Sequence, residues 1–255
     1  MRRREKFIIS SILLAFGLLG VQYVSLQFRF IAILIFFIFS YLVSVWSLYE
    51  DLYGVEWLTI IPLPAMYGMA VSLFYFLLPN NWISRIFIMA LFGVGMYALY
   101  LTSNIYSVAK SRTIQLLRAA HTIGLLFTLL TSTLITNFVF SLHLEFWLIG
   151  LLFFLIHFPL FLMALWSVDL QPKLDKRMWL ATIIFALVIA EFGMTISFFP
   201  VSVWNASLLT TSLCYILLGI LQNHLQQRLF RNTIFEYLSF AGLVFVSFFL
   251  LLKWK

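Results

Sequence analysis

Two ionisable residues stand inside long apolar runs of this chain, Glu191 and His157. Such a group costs at least a few kcal/mol in the hydrocarbon region and normally faces a partner or a cavity. Glu191 precedes Phe199, the end of its run, by eight residues, a depth of about 12 Å at 1.5 Å per residue. His157 follows Phe146, the start of its run, by eleven residues, about 16 Å. The two runs are consecutive and antiparallel, so the side chains meet if they share a face. A buried carboxylate and imidazole suit proton-coupled transport or acid/base work, with Glu191 as the substrate- or proton-binding carrier and His157 as its relay. The competing reading is structural. It is a hydrogen bond joining two helices, or a Glu191 held neutral by desolvation and satisfied by Ser or Thr. Pro159, near His157, frees a backbone carbonyl that a histidine N–H can satisfy.

A second set lies at one membrane face. Arg118 and His121 are three residues apart at the start of an apolar run, with Arg112 just before them. That spacing puts Arg118 and His121 on one helix surface, able to hold a phosphate headgroup together. Glu50, Asp51 and Glu56 on a neighbouring loop offer salt bridges instead, and these are favoured. Asn104 and Asn137 are expected to hydrogen-bond across helices. Pro62 and Pro64, with Gly68 following, rule out a regular helix at the start of their run; interrupted helices line many transporter sites, but prolines in a first turn are ordinarily a tolerated entrance.

Other chemistries find no support. His121, His143, His157 and His224 are spread without metal-ligand spacing, so neither a metal nor a cofactor is expected. There is no Gly-x-Ser-x-Gly elbow, no Walker loop and no dinucleotide glycine fingerprint. Asp51, Asp169 and Asp175 are the only aspartates, too few for the magnesium and pyrophosphate of a prenyl or phosphatidyl transferase. Cys214 is the one cysteine, so no disulfide forms within a chain.

The elements that position these residues follow from composition. The 255 residues are 64% hydrophobic and 10% charged, with a mean hydropathy of +1.06, where a soluble domain carries about 25% charged residues. A water-soluble globule is excluded, and the reading is an all-α polytopic transmembrane bundle. Nine runs are drawn: Phe7 to Leu26, Phe30 to Tyr49, Leu58 to Pro79, Ile86 to Tyr106, Ala119 to Phe140, Phe146 to Val168, Met178 to Phe199, Asn205 to Gln222, and Phe235 to Leu252. The net charge of +7 is a topology signal rather than a nucleic-acid footprint. With a cytoplasmic N-terminus, Arg29, Arg85, Lys253 and Lys255 fall outside and every other Lys and Arg falls inside, as the positive-inside rule requires. An odd span count then puts the C-terminus outside. The inner loops 107–120 and 223–236 interleave bases with apolar residues, as in helices lying at the headgroup level.

The chain, one membrane domain over 1–255, also matches itself in order. Val45-Trp-Ser-Leu48 answers Leu165-Trp-Ser-Val168, Gly68-Met-Ala-Val-Ser-Leu-Phe74 answers Gly193-Met-Thr-Ile-Ser-Phe-Phe199, and Gly124-Leu-Leu-Phe127 answers Gly242-Leu-Val-Phe245. The offset stays near about four spans, which keeps the copies in one orientation. The expectation is repeats at 7–118 and 119–234 with an extra helix at 235–252.

The run Arg112 to His121, with Gly95-Met-Tyr97, Leu101 to Ile105, Phe74 to Pro79, Ala190-Glu191 and Ser197 to Pro200, resembles a family of uncharacterised multi-pass membrane proteins from candidate-phyla bacteria. The resemblance implies a bacterial inner-membrane setting and no activity, and gives some weight to Glu191, Arg112 and Arg118. The leading expectation is a transporter or flippase-like protein for a lipid or small solute. Its alternatives are a non-catalytic scaffold or assembly partner, and then a metal-free enzyme acting on lipid through His121 and Arg118. The expected partners are membrane lipids and another membrane protein, with no nucleic acid.

Overall fold

In the computed structural model, residues 3–52, 54–78, 81–109, 115–171 and 173–251 are described. Among them every regular element is helical: α1 (Arg3–Gln22), α2 (Arg29–Leu48), α3 (Glu56–Thr59), α4 (Pro62–Tyr75), α5 (Trp82–Ala109), α6 (Leu117–Ser141), α7 (Phe146–Asp169), α8 (Lys176–Ile196), α9 (Val203–Leu225) and α10 (Arg231–Leu251). With α3 and α4 taken as one segment, nine helical segments are long and apolar enough to cross a membrane. The protein is a multi-pass helical membrane protein.

The third span is interrupted where the prolines require it. Pro62 and Pro64 have no N–H, so the carbonyls of Leu58 and Ile60 lose their i+4 donors and the ladder breaks after Thr59. Ile61 keeps right-handed helical angles, φ −69° and ψ −36°, and the segment continues as one span with Pro62 at the first position of α4. It is also the most enclosed, with 72% of its apolar window buried.

The amphipathic 223–236 stretch forms no separate helix at the headgroup level. It is divided between the end of α9 and the start of α10, because Gln227 takes a left-handed φ of 54° and ends the α9 ladder in the manner of a C-terminal cap. Of the 107–120 stretch, residues 110–114 lie outside the described residues.

The chain divides into two compact units, Met1–Thr131 with Leu170–Lys173, and Ser132–Asp169 with Leu174–Lys255. The boundary between the units falls inside α6. In the first unit α1 packs on α2 and α5, and α2 packs on α4. Tyr67 of α4 stacks on Phe92 of α5, ring centroids 5.5 Å apart, and meets the edge of Phe127 at 5.2 Å. The ring of Tyr67 reaches the space left by Gly95, the close approach that small residues allow between membrane helices. In the second unit α7 packs along α8, α9 packs on both, and α10 packs on α9. No residue of the α10 span is buried.

Candidate functional site

His157 is fully buried, and both of its ring nitrogens are used. Nδ1 lies 2.8 Å from the carbonyl oxygen of Phe153. A carbonyl only accepts, so Nδ1 carries the proton and Nε2 is the acceptor of the neutral ring. Ser132 Oγ, 2.9 Å from Nε2, is then the donor, and it can accept in turn from Cys214 Sγ at 3.7 Å. The network ties α6, α7 and α9 together. The carbonyl is that of Phe153, one turn back, rather than the Leu155 carbonyl that Pro159 leaves without its N–H donor. Phe153 and Phe161 flank the ring at 5.6 and 5.8 Å. Ser132 and Cys214 are each 1% exposed. This serine–histidine contact has the spacing of a nucleophile and its base, but it is buried and its ring nitrogens and hydroxyl are already paired. Its capability is to hold three helices in register.

Glu191 is placed differently. It is exposed on α8, on the face that also presents Leu180, Ile184, Leu187 and Val188, and its carboxylate has no partner among the described residues. The structure does not bring Glu191 and His157 together. Glu191 lies five residues before Ile196, about 7.5 Å from the end of the helix. A helical Cα–Cβ bond tilts toward the N-terminus, so the side chain leans into the span rather than out to water. The nearby C-terminal end of α8 carries the negative pole of the helix dipole. Both effects disfavour a lone carboxylate there.

At the start of α6, Arg118 is exposed and makes no ion pair among the described residues. His121 stacks on Tyr106 at 5.7 Å, and Tyr106 Oη donates to the carbonyl of Ala120 at 2.8 Å. Arg112 lies outside the described residues. The favoured salt bridge to Glu50 is redirected, because Glu50 pairs with Lys6 and, at 3.4 Å, with Arg3. The ends of α1 and α2 bring these groups together, and the Lys6 ammonium beside Glu50 holds its carboxyl below the ordinary value. Glu56 is buried at the start of α3. Asn137 is buried, and its Nδ2 finds no partner among the described residues.

Among the described residues, cavities in the second unit include the following three. The first, about 590 Å³, and the second, about 460 Å³, both lie along α10 beside Glu236. The third, about 230 Å³, lies between the ends of α6, α8 and α9, with His143 and Ser197 as its polar lining. Neither His157 nor Glu191 lines any of the three. Sequence reasoning missed Ser132 and Cys214 as partners of His157. Single Ser and Cys residues in apolar runs carry no signal of their own; only the packing of α6 and α9 on α7 gives them one.

A family model described as a protein of unknown function (DUF5656) matches residues 9–251. No curated protein and no solved structure matches the chain.

Proposed function

Taking as premise that the chain belongs to the DUF5656 family of unknown function, we propose that it is a non-catalytic docking subunit of the bacterial inner membrane. It recruits a second membrane protein through the exposed face of α8. The observation that carries this reading is Glu191, a carboxylate set in an apolar helix face with no partner among the described residues. A carboxylate at that depth selects a helix that presents a cation or a hydrogen-bond donor opposite it. The occupant is therefore a membrane span of another protein with a basic or amide side chain at the same depth. Proton-coupled transport draws no support from His157, which is fully buried and hydrogen-bonded at both nitrogens.

The test is photo-crosslinking in native membranes from a benzoyl-phenylalanine placed at Leu187, one turn from Glu191. A discrete adduct should form in the wild-type background, persist with Glu191→Asp and disappear with Glu191→Gln, while the melting temperature of the purified chain stays unchanged. An adduct pattern indifferent to Glu191→Gln, or a Glu191→Gln protein that fails to fold, overturns the reading.

A further inference from the structure

Arg29 and Arg85 converge on one rim of the first unit, formed by the end of α1, the start of α2, the end of α4 and the start of α5. Arg29 is the only charged residue between Lys6 and Glu50, and Arg85 the only one between Glu56 and Lys110. The described residues of these four helix ends therefore bring two positive charges and no carboxylate to the rim. The two guanidiniums flank consecutive residues. Arg29 Cζ lies 4.4 Å over the ring of Phe76, and Arg85 Nε donates to Tyr75 Oη at 3.0 Å. Arg85 also lies over the rings of Tyr23, at 4.9 Å, and Trp82, at 5.6 Å.

Unsatisfied polar atoms collect at the same rim. Among the described residues Arg29 Nε is buried without a hydrogen-bond partner. Gln22, the last residue of α1 and the neighbour of Tyr23, is 6% exposed, and among the described residues neither its Nε2 nor its Oε1 is bonded. Buried polar groups are ordinarily paired, and each exception asks for an explanation. The carbonyls of Leu73, Phe74 and Tyr75 at the end of α4 are already taken by the N–H groups of Phe76, Leu77 and Leu78. Helix geometry adds to the imbalance. Arg29 is the first residue of α2 and Arg85 lies in the first turn of α5, where the dipole favours an anion over a cation.

We infer that this rim binds a phosphate group between Arg29 and Arg85, with Gln22 as an additional hydrogen-bonding side chain. Guanidinium forks match phosphate oxygens in bidentate geometry. The exposed rings of Tyr23, Phe28 and Trp82 mark the level at which aromatic side chains meet headgroups. The same chemistry is offered by a lipid phosphodiester and by free phosphate. The site is independent of Glu191 and of the docking reading above.

The experiment is native mass spectrometry of the detergent-purified chain titrated with phosphatidylglycerol or phosphatidylcholine, with and without millimolar inorganic phosphate. The primary variant is Arg29→Gln, because Arg29 makes no hydrogen bond or ion pair among the described residues; Arg29→Lys and Arg118→Gln serve as controls. The expected result is one tightly retained phosphatidylglycerol whose affinity falls at least tenfold in Arg29→Gln. It should be largely restored in Arg29→Lys and unchanged in Arg118→Gln. Displacement of that lipid by inorganic phosphate identifies free phosphate as the ligand, and resistance to displacement identifies the lipid headgroup. Equal retention of both lipids, or an Arg29→Gln protein indistinguishable from wild type, overturns the site.

Discussion

The ring of Phe153 on α7 occupies the space that Gly193 on α8 leaves open, so closely that a Cβ at Gly193 would overlap ring carbons. The corresponding place in the first unit is Gly68 on α4, where an added Cβ would meet Ser40 Oγ at 2.8 Å and Phe36 at 3.5 Å. Gly68 and Gly193 are matched positions in the internal repeat read from the sequence. A second pair follows the same rule. Ser44 Oγ of α2 lies 3.1 Å from Tyr100 Oη of α5, and Gln222 of α9 donates to the Ala164 carbonyl of α7 at 2.9 Å. We propose on this ground that α2, α4 and α5 are copies of α7, α8 and α9. In an experimental structure, α2 and α4 superposed on α7 and α8 should bring Gly68 onto Gly193; a best fit that separates the two glycines counts against the duplication.

The two glycines should tolerate substitution unequally. Gly193→Ala forces the rigid Phe153 ring to move, an overpacking cost of about 1–3 kcal/mol, whereas Ser40 has a short hydroxyl that can rotate away from Gly68→Ala. Cys214 is buried and free, so a maleimide dye that fluoresces on reacting with it reports unfolding. The expected order of melting temperatures is wild type, then Gly68→Ala, then Gly193→Ala, with Phe153→Leu restoring part of the loss in Gly193→Ala. The reverse order would show that the Phe153 ring has room to yield.

The Ser132–His157 bond should behave as glue. His157→Leu leaves a buried serine hydroxyl without its acceptor, at a cost of about 1–3 kcal/mol. A double-mutant cycle with Ser132→Ala isolates the pair, for which interhelical hydrogen bonds in membranes average about 0.6 kcal/mol and reach about 1.7. Unfolding in mixed micelles measures it. A coupling of zero would mean the two groups are satisfied separately.

The pH dependence of the Glu50 contact has a definite sign. Its folded value is lowered from 4.5 by Lys6, with Arg3 assisting, so its contribution is present above pH 4.5 and is lost as pH falls through the lower folded value. The pair is exposed, so the effect is small and screened by salt. Melting temperatures of wild type and Glu50→Gln should differ slightly at pH 7 in low salt and converge in strong acid or in molar salt. A gap that persists at low pH would assign it to packing.

Orientation is open to a direct check. From the charge distribution we propose that the N-terminus is cytoplasmic and, with nine spans, the C-terminus outside. A C-terminal alkaline phosphatase fusion should be active and a C-terminal green fluorescent protein fusion dark; the opposite pair of results would invert the topology.

Local properties of the chain were legible before any packing was known. Length and apolarity of each run specify a membrane helix because an unsatisfied backbone in hydrocarbon is too costly for any other open structure. The interruption at Pro62 follows from two missing N–H groups. Each of these is decided by a residue and its near neighbours along the chain. Partnership was not legible in this way. Whether an ionisable residue in an apolar run faces inward or outward depends on which arc of its helix the neighbouring helices cover, and α8 is apolar on both arcs. Packing therefore decided that His157 is enclosed by Ser132 and Phe153 while Glu191 is left on an open face. It also brought Arg29 and Arg85 to consecutive rings of α4, because residues far apart in sequence become neighbours only when four helix ends meet at one rim.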